Sequence, residues 1–443
     1  MSAVFRGTSS ARSQDDDIEE IRSLATPLHT PSDIDRLLDR IGDARYVLLG
    51  EASHGTGDYY SWRAEVSKRL IAERGFSFVA VEGDWPDCFR VNRWVKGRSD
   101  QDRSAGEVLG EFERWPTWMW ANEEVAEFAA WLHDHNRASG TDAGFYGLDV
   151  YSLWDSLHAV LGYLTASHPQ ALDSARKAFR CFEPFGEDPK RYAMATNLVP
   201  DSCEDDVIQL LVELRSNPPK LDADPEAEFD ARQNAEVLAG AERYYRAMMR
   251  GGGESWNVRD VHMADTLDHI IGFHGSDSRA IVWEHNTHIG DARGTDMAAR
   301  GLVNVGQLVR ERHGDLGVVL VGFGGHRGSV IAADYWGAPM RRMEVPEAPP
   351  SSHEDLLHRA LGAPSLLVFP EERGSPWLSA SRGHRAIGVV YDPDQERLGN
   401  WVPTVMGRRY DAFLSFDLTE ALHPIHFEAP QLDAEQETYP WST

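Results

Sequence analysis

The stretch YVLLGEASHGT, residues 46–56, decides the fold that the sequence predicts. Its first part, Tyr46 to Leu49, is a short apolar run of the kind found in strands that are buried on both faces. Gly50 ends the run, and the turn that follows carries Glu51 and His54. Because ligands of open α/β sheets bind outside the carboxyl ends of the strands, this turn is a candidate edge of an active site. The alternative is an ordinary polar turn with a solvated histidine.

The same pattern recurs along the chain. A second apolar run, Phe78 to Val81, leads into Glu82, and a third, Gly144 to Leu148, leads into Asp149. Between the first two runs, Tyr59 to Arg74 has the apolar spacing of a helix. Later strands are predicted at Ala280 to Trp283, Gly317 to Phe323, Ser365 to Phe369, Ala386 to Tyr391 and Ala412 to Phe416. This alternation predicts the α/β fold class, with a mostly parallel central sheet flanked by helices.

The chain divides into five predicted segments. Residues 1–17 are expected to form a disordered tail, and residues 18–150 the first part of the α/β core. Residues 151–275 have a largely helical pattern and are expected to form a large helical insertion or cap. The second part of the α/β core follows at residues 276–428, and residues 429–443 are expected to form a flexible tail.

Composition limits the classes of partner and compartment. The formal net charge of −27 argues against nucleic acid or an anionic membrane surface, since both bind basic proteins. No apolar stretch reaches transmembrane length. The three cysteines, Cys88, Cys181 and Cys203, are odd in number and widely spaced, so neither a disulfide framework nor a zinc pattern is predicted. A reducing compartment, and hence the cytoplasm, is the predicted location.

A second polar motif follows the predicted strand at Ala280 to Trp283. It reads WEHNTHIGDAR, residues 283–293, and places His285 and His288 directly after a buried strand. These histidines are candidates for metal binding, for proton transfer or for contact with an oxyanion, and ordinary loop residues are the alternative. Their spacing differs from that of a helical HExxH zinc site. Neither a GxSxG nucleophile motif nor a GxxxxGK[ST] phosphate loop occurs, which leaves activation of water by a histidine beside carboxylates.

Five motifs occur in an order that resembles the erythromycin esterase family. They are GEASHGT with a following arginine, VEGDWPD, NVRDVHMAD, WEHNTHIGDAR and RRYDAFLSFD, and they extend from Gly50 to Asp417. The resemblance implies that His54 is the general base for water, with Glu51, Arg63, Glu82, His285 and His288 as the other catalytic residues. Arg259 and Asp260 match the family pattern, and with Trp85 and Asp291 they are assigned to substrate binding.

One position departs from the family pattern. Glu284 stands where a small residue is expected, and a carboxylate there is expected to favour the charged form of His285.

These residues together predict a hydrolase of esters or lactones. His54 is expected to take a proton from water, with Glu51 or Glu82 orienting its ring. Arg63 or His285 is expected to stabilise the oxyanion, and His288 to protonate the leaving alkoxide. The expected partner is a small-molecule ester or lactone, with macrolide ring opening and antibiotic resistance as one case, and no metal or other cofactor is predicted. Two alternatives stay open, a metal- or haem-binding protein that uses the same Glu and His cluster and a noncatalytic accessory protein.

Overall fold

The computed structural model describes residues 14–99, 102–169, 172–186, 189–198, 202–216 and 224–426. Its strands in chain order are β1 (Ala25–Pro27), β2 (Tyr46–Leu49), β3 (Phe78–Asp84), β4 (Gly144–Asp149), β5 (Ala280–Trp283), β6 (Val318–Ala332), β7 (Arg341–Val345), β8 (Ser365–Val368), β9 (Ser381–Arg385), β10 (Trp401–Val405) and β11 (Ala412–Thr419). Its α-helices are α1 (Gln14–Leu24), α2 (Asp35–Ile41), α3 (Gly57–Arg74), α4 (Trp85–Val95), α5 (Ala105–Leu109), α6 (Glu123–Ser139), α7 (Leu153–Ser167), α8 (Leu172–Phe182), α9 (Pro189–Leu198), α10 (Glu204–Ser216), α11 (Pro225–Arg250), α12 (Glu254–His274), α13 (Asn286–Ile289), α14 (Val305–His313), α15 (His353–Leu361), α16 (Pro376–Ser379), α17 (Glu396–Gly399) and α18 (Met406–Arg409).

A nine-stranded sheet organises the molecule. Its order is β1-β8-β11-β6-β2-β5-β3-β4, with β7 paired to β6 beside that path. The strands from β11 to β4 pair in parallel, whereas β8, β1 and β7 join antiparallel. The predicted α/β class, a mostly parallel sheet flanked by helices, is confirmed. Since β2, β5 and β3 are neighbours, the polar turns after them open at the same edge of the sheet.

Alternating side chains of the central strands pack into two separate cores. Val47 and Leu49 of β2 face one core, and Tyr46 and Leu48 face the other. All four are at most 1% exposed, which explains why β2 is an apolar run without alternation. Full burial of each such side chain contributes about 1.5–3 kcal/mol, so the strand ends are held by a rigid layer.

Helices α7 to α12 fill the chain between β4 and β5, where the described residues include no strand. In this region Cys181 of α8 and Cys203, just before α10, form a disulfide, with their Cα atoms 5.8 Å apart. The prediction of unpaired cysteines is therefore wrong for this pair. Helices α8 and α10 pack together, so cysteines 22 residues apart in sequence meet in space. The argument for a reducing compartment from cysteine spacing no longer holds.

Two sequence-based boundaries also change. Helix α1 begins at Gln14, so three aspartates assigned to the tail lie in its first turn, where acidic side chains favour the helix dipole. Residues 386–391 form no named strand; this segment instead crosses the turn after β2, where Ile387 N–H donates to the Ala52 carbonyl. Residues 1–13 and the predicted tail at 429–443 lie outside the described residues. Across the described residues, every helix is too short or too polar to cross a bilayer.

Candidate active site

The turn after β2 is fixed from three sides by backbone hydrogen bonds, one of which is the bond from Ile387 N–H to the Ala52 carbonyl at 2.8 Å. The Glu51 carbonyl accepts from Asn286 N–H at 2.8 Å, and the Gly55 carbonyl accepts from Ile331 N–H at 2.9 Å. Gly50 and Gly55 are required here because a Cβ on either would overlap a neighbour, the Asn286 side chain or the Ile331 backbone. The turn therefore holds its polar side chains against β5 and β6 without freedom to shift.

Glu51 connects His54 to a buried arginine. His54 Nδ1 lies 2.9 Å from Glu51 Oε1, and Arg63 Nη2 lies 2.7 Å from Glu51 Oε2. Since the carboxylate can only accept, His54 carries its proton on Nδ1 and presents the Nε2 lone pair as a base. Arg63 of α3 is fully buried against the Tyr60 ring and does not line the cleft. The expected contact of Arg63 with an oxyanion is corrected to a contact with Glu51.

The ring of His285 carries a hydrogen-bond donor that complements the His54 base. Its Nδ1 accepts from Thr287 N–H at 3.2 Å, as the N-cap of α13, so a neutral ring carries its proton on Nε2. Burial, together with the nearby His54, holds the pKa of His285 well below its ordinary value. Nε2 has no close hydrogen-bond partner among the described residues, although the Ala52 carbonyl lies near the ring. The ring lines the same cleft as His54, with the two ring centres 4.9 Å apart. His285 is thus a neutral N–H donor beside the His54 base.

Glu284 does not favour the charged form of His285, as the sequence predicts that it would. Its side chain is fully buried, and burial raises the pKa of the Glu284 carboxyl well above its ordinary value. Both carboxyl oxygens lack a hydrogen-bond partner among the described residues. A neutral acid cannot favour the charged form of His285, so the prediction of an imidazolium at His285 is wrong.

A second polar cluster forms the floor of the cleft. Arg259 of α12 donates to both oxygens of Asp149, at 2.9 and 2.7 Å, and to Glu82 Oε1 at 2.7 Å. His288 places Nε2 at 3.3 Å from Glu82 Oε1 and Nδ1 at 2.9 Å from Asp260 Oδ1. The other oxygen of Glu82 accepts from His285 N–H at 2.8 Å. Glu82 therefore ties the ends of β3 and β5 to α12.

The charge state of His288 follows from this cluster. Burial disfavours its charged form, but Asp260 and Glu82 outweigh burial and raise the pKa of His288 to about 10. Burial also raises the pKa of Asp260, while the ring of His288 and Val305 N–H donate to it and favour its charge. The Trp256 ring stacks on His288 with centres 4.6 Å apart. At neutral pH His288 is a cation held between two carboxylates.

The two clusters open into one cleft with about 920 Å³ of empty space, its open mouth included. His54, Glu82, Arg259, His285 and His288 reach its wall. Six aromatic side chains also line the cleft, and we call them the aromatic wall: Phe112, Trp115, Trp120, Tyr151, Trp256 and Trp336. The segment over the β2 turn closes one side with Ala386, Gly388 and Val389. Such a cleft suits a bulky, largely apolar ligand with one polar reacting group.

Besides Glu51 and Arg63, three residues that the sequence assigned to substrate binding do not line this cleft. Trp85 is fully buried, stacks on Tyr146 and donates from Nε1 to Asp230 Oδ1 at 2.7 Å, so its assignment to substrate binding is wrong. Asp291 points away from the cleft and pairs with Arg293 and Arg310. Asp260, also assigned to substrate binding, lies behind His288 and is fully buried.

Sequence reasoning also left cleft residues without a role. Asp149 ends its strand as predicted, but only the structure brings it to Arg259. Trp115 and Trp120 belong to the aromatic stretch WPTWMWAN, which was the available signal for the cleft wall. Trp256 carries no comparable signal, because its stacking on His288 joins two distant elements.

The nitrogen atoms of this site are largely engaged. Nδ1 of His54 contacts Glu51, Nδ1 of His285 contacts Thr287, and Nδ1 of His288 contacts Asp260. Nε2 of His288 faces Glu82. Among the described residues, no three His, Cys, Asp or Glu side chains form a set that could hold a metal ion. The donor set fits proton transfer and hydrogen bonding better than metal coordination.

Comparisons with solved structures agree on the fold. A succinoglycan biosynthesis protein aligns with a TM-score of 0.77 at 21% identity, over 94% of this chain and 99% of that chain. A Bacillus cereus protein aligns with a TM-score of 0.79 at 16% identity, over 94% of this chain and 100% of that chain. A mutant of the erythromycin esterase EreC in its open conformation aligns with a TM-score of 0.65 at 16% identity, over 89% of this chain and 97% of that chain.

Sequence comparisons point to one family. An Escherichia coli protein named erythromycin esterase type II is 29% identical over 110 residues, so the match covers 25% of this chain and 24% of that protein. The erythromycin esterase family model matches residues 71–419, a span that includes Glu82, Arg259, His285 and His288. His54 and its partners precede that span and rest on geometry. Since the family match extends over most of the strands and the floor of the cleft, the chain belongs to the erythromycin esterase family.

Proposed function

We propose that this protein hydrolyses an ester or lactone with water activated by His54. The observation that carries the proposal is the pairing of opposite groups in one cleft. The His54 ring offers an Nε2 lone pair, because Glu51 accepts from Nδ1. The His285 ring, 4.9 Å away between centres, offers an Nε2–H with no close partner among the described residues besides the nearby Ala52 carbonyl. A base for water and a donor for an oxyanion are the two groups that acyl transfer to water requires.

The mechanism proceeds in two steps. His54 Nε2 takes a proton from water as the water oxygen attacks the carbonyl carbon, and the carbonyl oxygen gains negative charge. His285 Nε2–H donates to that oxyanion. When the tetrahedral intermediate collapses, the carbon–oxygen bond to the alcohol breaks and the alkoxide takes the proton from the His54 imidazolium. Base catalysis contributes about 10²–10⁴-fold and one oxyanion donor about 10²–10³-fold.

This mechanism gives His288 a different part from the one predicted. Its Nδ1 faces Asp260, and its Nε2 lies 3.3 Å from Glu82 Oε1 and 3.2 Å from Arg259 Nη1, so it has no proton positioned for a leaving alkoxide. We propose that it acts with Arg259 to keep Glu82 charged, since Glu82 accepts from the backbone N–H of His285 and fixes the backbone that carries that ring. Burial opposes the ionised form, but the cations His288 and Arg259 outweigh it and hold the pKa of Glu82 well below its ordinary value.

The proposed substrate is a bulky apolar ester or lactone. The aromatic wall supports this class. The name of the Escherichia coli relative makes a macrolide lactone the first compound to test, and its ring opening would confer antibiotic resistance. An alkyl ester of low mass tests the same chemistry without the macrolide shape.

The experiment compares hydrolysis of erythromycin and of simple aryl and alkyl esters by the wild type, His54→Ala and His423→Ala, with products identified by mass spectrometry. His423 has an exposed side chain outside the cleft and serves as the matched control. We expect His54→Ala to lower kcat by about 10²–10⁴-fold and His423→Ala to leave it unchanged. Full activity of His54→Ala, or activity that is lost in chelator and restored by one metal ion, would contradict the mechanism.

A further inference from the structure

A second cleft is lined by residues outside the candidate active site. Five arginines line it, and we call it the arginine cleft: Arg40, Arg293, Arg310, Arg373 and Arg408. They come from four helical segments and the loop after β8, so distant parts of the sequence converge there. Its empty space is about 880 Å³ with the open mouth included, and it shares no lining residue with the active-site cleft.

Two buried carboxylates organise the arginine cleft. Arg310 donates to Asp291 Oδ2 at 3.1 Å and to Asp411 Oδ2 at 2.7 Å. Asp411 Oδ1 also accepts from Arg373 at 2.5 Å and from Arg40 at 3.2 Å. The two aspartates are at most 4% exposed and hold the guanidinium groups in fixed positions. This arrangement is preorganised, because side-chain entropy has already been lost in the folded protein.

The carboxylates do not balance the positive charge. The lining has five arginines against three aspartates, and the third, Asp315, is exposed at the surface. Arg408 is exposed and has no carboxylate partner among the described residues. Arg310 is only 8% exposed, yet its Nε has no hydrogen-bond partner among them. Glu311 pairs with Arg293 at 3.5 Å, so the five arginines face four carboxylates. In a chain with a net charge of −27, a concave surface where arginines outnumber carboxylates and the exposed Arg408 has no carboxylate partner among the described residues is a local site for an anion.

We propose that the arginine cleft binds a phosphate dianion, either free or as the phosphate group of a monoester. The planar fork of arginine donates two parallel hydrogen bonds to phosphate oxygens, and groups from several directions match a tetrahedral anion better than a planar carboxylate.

The test is calorimetric titration of the full-length protein with inorganic phosphate, at constant ionic strength so that general screening does not change. We expect saturable binding. Arg408→Gln should raise the Kd roughly tenfold, since a hydrogen bond to a charged group is lost. Arg137→Gln is the matched control, because Arg137 is exposed on α6 and outside the cleft, and its Kd should equal that of the wild type.

Two further ligands identify the source of the phosphate. Tighter binding of glucose 6-phosphate than of inorganic phosphate would assign a phosphomonoester, and equal binding would assign the free anion. Absence of saturable phosphate binding, an unchanged Kd in Arg408→Gln, or a preference for citrate over both phosphates would overturn the proposal. Circular dichroism and thermal unfolding of Arg408→Gln separate a lost site from a lost fold, and neither readout depends on hydrolysis.

Discussion

The pair formed by Glu51 and Arg63 shows how one residue supports another at the active site. Both side chains are at most 1% exposed, and Arg63 Nη2 lies 2.7 Å from Glu51 Oε2. In Arg63→Met the Glu51 carboxylate stays buried without its cation, so we expect the free energy of unfolding to fall by about 3–5 kcal/mol. Urea unfolding measures this change.

A double variant controls for lost packing at Arg63. In Glu51→Gln/Arg63→Met no charge is left unpaired, and we expect part of the lost stability to return. If the losses of the two single variants simply add in the double variant, the two side chains do not interact. Lost packing rather than an unpaired charge then explains the effect of Arg63→Met.

His288 gives the protein a defined dependence on pH. Its pKa rises from the ordinary 6.5 to about 10, since Asp260 and Glu82 outweigh burial. A group with a raised pKa stabilises the folded state fully below its unfolded pKa, and that contribution is lost as pH rises through the folded pKa. We therefore expect the stability difference between wild type and His288→Asn to be constant below pH 6.5 and to shrink as pH rises towards 10.

Chemical unfolding of both proteins at a series of pH values provides the measurement. Comparing the two proteins at each pH removes the titration of other groups. A difference that does not change between neutral and alkaline pH would mean that His288 is neutral in the folded protein.

The turn after β2 is the element on which catalysis depends. Its Gly55 carbonyl accepts from Ile331 N–H, and a Cβ on Gly55 would overlap the Ile331 backbone. We expect Gly55→Ala to lower the free energy of unfolding by about 1–3 kcal/mol, because backbone must move, and to lower kcat by displacing His54. Gly162→Ala is the matched control, since Gly162 lies exposed in α7 with open space around it. We expect the free energy of unfolding of this variant to rise by about 0.5–1 kcal/mol. Equal stability of Gly55→Ala and wild type would show that the turn is mobile.

At the scale of the whole molecule, one covalent bond restrains the helical region between β4 and β5. The Cys181–Cys203 disulfide closes a loop of 22 residues, while Cys88 is buried and free. A loop of this length predicts that reduction lowers the free energy of unfolding by about 3 kcal/mol. Urea unfolding with and without reductant measures the effect, and Cys181→Ser should abolish the difference. Three reactive thiols in the unfolded, unreduced protein would contradict the pairing.

Local sequence by itself determined the sheet and the edge at which chemistry is placed. An apolar run ended by glycine and polar residues predicts a buried strand and its carboxyl-terminal turn, since both depend on neighbours within a few positions. Glu51, His54, Glu82 and His285 were found in this way, and all four lie within one polar network at that edge.

Only the tertiary structure decided which polar side chains face the cleft and which are charged. Arg63, Trp85 and Asp291 carry the same local signals as cleft residues, yet packing turns them into the core or to another surface. His285 is neutral and His288 is cationic although three positions separate them, because burial and partners from β3 and α12 set their charges. The disulfide and the arginine cleft likewise join residues far apart in the chain. Charge and contact depend on what surrounds a group in space, and local sequence does not contain that information.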